Sequence, residues 1–126
     1  MIDYKKKYDS AISDLLIEIG KDYDSWNGIE PPRDMDELTL KIKTESSHRF
    51  KNELRITAGR KFDKIISDNS VWGFVAKKDG VLKCISYFTG DVFKAASWRA
   101  PAKHVRGSVF DGSTNWFSWT GPNYLI

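Results

Sequence analysis

The run from Gly90 to Asp111 gathers Lys94, Arg99, Lys103, His104 and Arg106 around Trp98, with few acids nearby. Arginine offers a planar fork to phosphate oxygens, lysine a mobile point charge, and tryptophan a flat face for a base. Small residues at 95–97, 100 and 102 let a ligand come close to the backbone. The chemistry available here is the holding of an anionic, ring-bearing molecule. The plainer reading makes the run a loop that crosses a sheet, with Trp98 in the core and the basic groups solvated.

The rest of the sequence offers little that could break or make a bond. There is no Walker loop, no Gly-x-Gly-x-x-Gly and no Gly-x-Ser-x-Gly elbow. His48 and His104 stand far apart without a His-x-x-x-His or Cys-rich companion, so no metal site is expected. Cys84, the one cysteine, excludes an internal disulfide; between Leu82 and Ile85 it reads as a buried, inert thiol. Asp34-Met35-Asp36-Glu37 reads as a helix start rather than an acid/base pair, and Asp79 and Asp91 read as turn residues. The expectation is a protein that is not an enzyme and needs no cofactor.

Composition sets the frame for that binding chemistry. The 126 residues are 40% hydrophobic and 29% charged, the balance of a folded chain rather than a disordered one. This length suits one domain, which buries about two-thirds of its unfolded surface. No apolar stretch approaches the ~20 residues of a membrane span. The opening Met-Ile-Asp-Tyr-Lys-Lys-Lys lacks the apolar core of a signal peptide, so a cytoplasmic location is expected. The net charge of +3 is unevenly spread: from Val71 onward there are 7 bases, 3 acids and 11 aromatics. That basic, aromatic half suits phosphates and bases, although +3 is too mild to demand nucleic acid.

The elements that position these residues follow from periodicity. Tyr8, Ile12, Leu15, Leu16, Ile19 and Tyr23 recur at three- and four-residue steps and predict a helix. Asp3 can cap it, Trp26-Asn27-Gly28 should stop it, and Pro31-Pro32 should prevent its resumption. Asp34 or Asp36 can cap a second helix carrying Met35, Leu38 and Ile42, although residues 38–43 also alternate like a strand. Phe50, Leu54 and Ala58 continue the helical spacing toward a stop at Gly59. From Lys61 the period changes. Phe62 and Ile65-Ile66, then Val71–Ala76, read as strands separated by Asp68-Asn69-Ser70. Lys78-Asp79-Gly80 predicts a hairpin with Val81–Ser86 as its return, and Thr89-Gly90-Asp91 introduces Val92–Ala96. Asn115–Tyr124 is expected to add a last strand. The fold class is therefore α+β, N-terminal helices followed by an antiparallel β-sheet: residues 1–60 mainly helical, and 61–126 a sheet with a basic, aromatic loop.

The block Gly-Asp-x-Phe-Lys-Ala-Ala-Ser-Trp-x-x-Pro-Ala-Lys-His-x-Arg-Gly at 90–107 resembles a group of small phage and prophage proteins. Ser70–Val75 before it and Trp119–Leu125 after it carry the same likeness, which covers Lys61 to Leu125. The chain is similar in size and element order to the Thoeris anti-defence sponge proteins. That resemblance implies an anti-defence protein, in the cytoplasm of an infected bacterial host, that sequesters a cyclic ADP-ribose-type or cyclic nucleotide signal without cleaving it. It implies a homo-oligomer with a small nucleotide as partner and no membrane attachment. The family's ligand contacts would fall on Arg60, Phe93, Lys94, Trp98, Lys103 and Arg106. Two competing readings remain open: a nucleic-acid-binding phage protein, and an inhibitor that docks on a host enzyme through its Trp and Tyr residues.

Overall fold

The computed structural model describes residues 4–29 and 33–123; Asp3, Pro31-Pro32, Tyr124 and Leu125 lie outside the described residues. Helix α1 (Tyr4–Asn27) buries Tyr8, Ile12, Leu15, Ile19 and Tyr23, the stripe that the 3.6-residue period predicts. It ends where Gly28 takes φ +80°. There Gly28 N–H donates to Ser25 O and Ile29 N–H to Asp24 O, closing the last turn.

Helix α2 (Glu37–Glu53) starts at Asp36, whose Oδ1 accepts from Thr39 N–H at 2.7 Å. The Thr39 hydroxyl and then this N–H hold the Asp36 carboxyl below the usual carboxylate range. The alternating 38–43 segment is thus helical. Its seam with α1 is polar: the Tyr23 and Ser46 hydroxyls pair, Ser47 Oγ donates to Asp24, and Lys51 Nζ meets Asp24 Oδ2 at 2.6 Å. Asn27 and Lys43 exchange two further bonds, at 3.0 and 3.1 Å. Because serines and charges make this seam, the helix's large apolar residues Leu38, Leu40 and Ile42 remain exposed.

The second helix is shorter than its spacing suggests. Leu54 turns to an extended backbone (φ −78°, ψ 114°) after its N–H closes on Phe50 O. Leu54–Ala58 is then strand β1, so the helix-to-sheet boundary falls at residue 54 and not at 61. The Arg-Ile-Thr core of this segment is strand-favouring, and pairing with the next strand overrides the helical spacing.

Strand β2 (Phe62–Ser67) pairs antiparallel with β1, setting Ile56 opposite Ile65. Asp68, at φ 54°, turns the chain into β3 (Ser70–Ala76). A register shift between Ile65 and Ile66 lets both isoleucines be buried. Residues 81–86 do not return beside β3 as the hairpin signal predicts. Gly80–Leu82 (β4) and Ile85–Tyr87 (β5) instead pair with each other around Lys83-Cys84, both at positive φ. Positive φ at two non-glycine residues carries no sequence signal, and this turn leaves Cys84 exposed rather than buried. The edge of β3 is taken by β6 (Asp91–Ala95), which pairs with β7 (Pro101–Ser108). The five-stranded sheet runs β1-β2-β3-β6-β7, with every pairing antiparallel. The tail forms its own small hairpin, β8 (Phe117–Ser118) with β9 (Gly121–Pro122), rather than a further strand of that sheet. The fold is α+β.

Each face of the sheet carries a core. On one, α1 packs through Tyr8, Ile12, Leu15 and Ile19 against Ile65, Trp72, Val75, Val92 and Phe117. On the other, Phe74, Ala76 and Phe93 pack with Tyr87, joined by Phe62, Leu82 and Val105. Tyr8 also donates to Asp63 Oδ2 at 2.8 Å inside the first core. Burial and that carboxylate push the phenol well above its ordinary value. Among the described residues no helix is long and apolar enough to cross a membrane.

Candidate functional site

Strands β6 and β7 carry most of the basic, aromatic block, and their pleat sorts its residues. Phe93 and Ala95 point into the second core, so Lys94 between them lies on the α1 face. Phe93 itself is fully buried, with its ring 5.6 Å from those of Phe62 and Tyr87. It is a core residue with no surface to offer a ligand, which corrects its place among the expected contacts.

Lys94 and Arg106 are brought together. The register of β6 and β7 slips between Val92–Gly107 and Phe93–Val105, and Arg106 is the extra residue at that bulge. A bulge re-aims a side chain that a regular ladder would direct elsewhere. Arg106 Nη1 donates to Asn123 O at 3.0 Å, just beyond β9, while its buried Nε makes no hydrogen bond. Partial burial and then the Arg106 charge push the Lys94 ammonium below the ordinary lysine value. Two cations close enough to oppose one another form a ready cradle for an anion. Hairpin β8–β9 sits over them. Gly121, at φ +141°, would place a Cβ only 3.9 Å from Lys94 Nζ and 3.2 Å from Trp72 O.

Trp98 goes to the opposite face. It is 49% exposed, in the loop between β6 and β7, with Lys64 Nζ 4.6 Å from its ring centroid. The same ammonium lies 5.8 Å from the Phe74 ring, so Lys64 bridges the exposed indole to the second core. Lys103 is exposed on β7, and Arg60 is exposed in the β1–β2 turn. The six expected contacts therefore do not form one pocket within a chain. Lys94 and Arg106 form one cationic spot, Trp98 sits across the sheet, and Phe93 is internal.

Sequence reading missed a second feature on the α1 face. Tyr23, Trp26, Phe50 and Trp119 cluster where the two helices meet the tip of the β8–β9 hairpin. Tyr23 and Phe50 stack at 4.3 Å with 5° between planes, Trp119 stands edge-on to both, and Trp26 lies 4.9 Å from Trp119. Asp22 fixes the hairpin by accepting from Trp119 N–H at 2.8 Å. These rings come from three separate segments, so no local spacing announces them. The only sequence signal was Trp26 beside the helix stop. Among the described residues no group of three His, Cys, Asp or Glu side chains is placed to hold a metal ion.

The family model described as "Family of unknown function (DUF7717)" matches residues 5–124. No curated protein and no solved structure matches the chain.

Proposed function

Because the chain belongs to DUF7717, a family of unknown function, we propose its role from its own geometry: it binds a small phosphorylated signal and holds it intact. The Lys94–Arg106 pair carries this reading. An arginine fork fixed by one backbone bond at Nη1 leaves its other Nη donors for phosphate oxygens, and a charge-assisted contact of this kind is among the stronger polar interactions. A bound phosphate would also offset both the burial and the Arg106 repulsion that depress the Lys94 ammonium. The resemblance of the 90–107 block to phage anti-defence sponges supplies the finer form of the proposal. In that form the ligand is a cyclic ADP-ribose-type or cyclic nucleotide immune signal, sequestered in an infected bacterial cell.

The test is retention followed by release. Protein incubated with a cyclic ADP-ribose-type signal, desalted and then heat-denatured should return the signal chemically unchanged. Arg106→Ala should retain at least tenfold less, the loss of about one charge-assisted contact. Degradation products in the released fraction, or no retention by the unsubstituted protein, would overturn sequestration.

The homo-oligomer that the resemblance implies gains separate support from α2, where Leu38 is 68% and Ile42 58% exposed one helical turn apart. A second copy of the chain covering this stripe would remove two large apolar side chains from water.

A further inference from the structure

We propose that the cleft beside Trp26 and Trp119 is a stacking site for the planar ring of a nucleoside-type ligand, an inference that rests on the phosphorylated-ligand reading above. The cleft holds about 370 Å³, within the size range of small-molecule sites. Its floor is the Tyr23–Phe50 stack, which is held in place by the polar seam between the helices. One wall, Trp26, is 60% exposed although it touches both Tyr23 and Trp119. A large indole face left in water beside a rigid aromatic floor is what a base-stacking platform requires.

The rim matches the edges of such a ring. Arg49, Glu53 and Asp68 line the cleft, and their side chains make no hydrogen bond or ion pair with the described residues. Carboxylates accept from amino and ring N–H groups, while the guanidinium can donate to ring nitrogens or stack on the ring itself. This mixture favours a heterocycle with donors and acceptors over a purely apolar guest.

Position ties the cleft to the cationic pair. Trp119 and Gly121 are two residues apart on one hairpin, which limits their Cα separation to about 7 Å. Trp119 belongs to the aromatic cluster, and Gly121 lies against Lys94. A ligand with a ring at one end and phosphate at the other can therefore lie along β8–β9 and engage both.

Adenosine and inorganic pyrophosphate, titrated separately into the full chain by calorimetry, test the two ends independently. Adenosine should bind, and Trp26→Ala should weaken it roughly 5- to 150-fold, the usual cost of losing one stacked aromatic. Trp26→Phe, which keeps a ring, should recover most of the affinity. Circular dichroism of both variants should match the unsubstituted protein, because Trp26 is largely exposed. No adenosine binding, or binding that Trp26→Ala leaves unchanged, overturns the cleft. Pyrophosphate binding that ignores Arg106→Ala instead overturns the phosphate reading, while a Trp26-dependent adenosine signal still upholds the stacking site.

Discussion

Tyr8 shows how a single side chain sets a local limit on stability. Its hydroxyl and the Asp63 carboxylate are both buried and are bonded to each other, and Lys77 Nζ stands 3.7 Å from the other Asp63 oxygen. Tyr8→Phe removes the donor and leaves a buried carboxylate with only that long ion pair. Denaturant unfolding should show a loss of about 1.5–3 kcal/mol, the scale of a hydrogen bond to a charged group. Lys94 predicts a pH effect of definite sign. Its folded-state pKa is lowered, first by burial and then by Arg106. The unfolded chain therefore binds that proton more tightly, and stability should rise as pH climbs from the lowered value toward the ordinary lysine value near 10.4. Subtracting the stability profile of Lys94→Met from that of the unsubstituted protein isolates this rise. A flat difference curve would refute it. Both effects depend on neighbours distant in sequence. The residue types were readable in the chain, but the burial and pairings behind these effects were not.

The elements divide sharply by how local their causes are. Helix α1 follows from a stripe and a glycine stop, and the β2–β3 hairpin from a change of period and an Asp-Asn turn; each lies within a short stretch of sequence. The misreadings occur where a partner strand decides. Residues 54–58 keep a helical spacing yet are drawn into the sheet, and 81–86 forms a separate hairpin because β6 occupies the edge of β3. The candidate site lies at this second level. Bringing Arg106 beside Lys94 takes a bulge, and the aromatic cluster takes two helices and a distant hairpin. Helix α2 carries a prediction of its own. Leu38→Glu with Ile42→Glu should shift the protein to a monomer in light scattering, with helical content unchanged, since neither residue joins the α1 seam. An unsubstituted protein that is already monomeric at tens of micromolar would remove the role given to this stripe.

At the scale of the whole molecule, the α+β order was legible from the switch in periodicity, whereas the division of labour between the sheet's faces was not. One face carries α1, the cationic pair and the aromatic cleft; the other carries the β4–β5 hairpin and Trp98. The bond from Trp119 N–H to Asp22 spans 97 residues. Closing so long a loop costs entropy before it gains contacts, so the hairpin should dock late in folding. The helices and the five-stranded sheet can pair while residues 117–123 are still undocked. A folding chain would then complete the proposed stacking cleft only when this hairpin docks, and until then it could not draw on the signal it is proposed to hold.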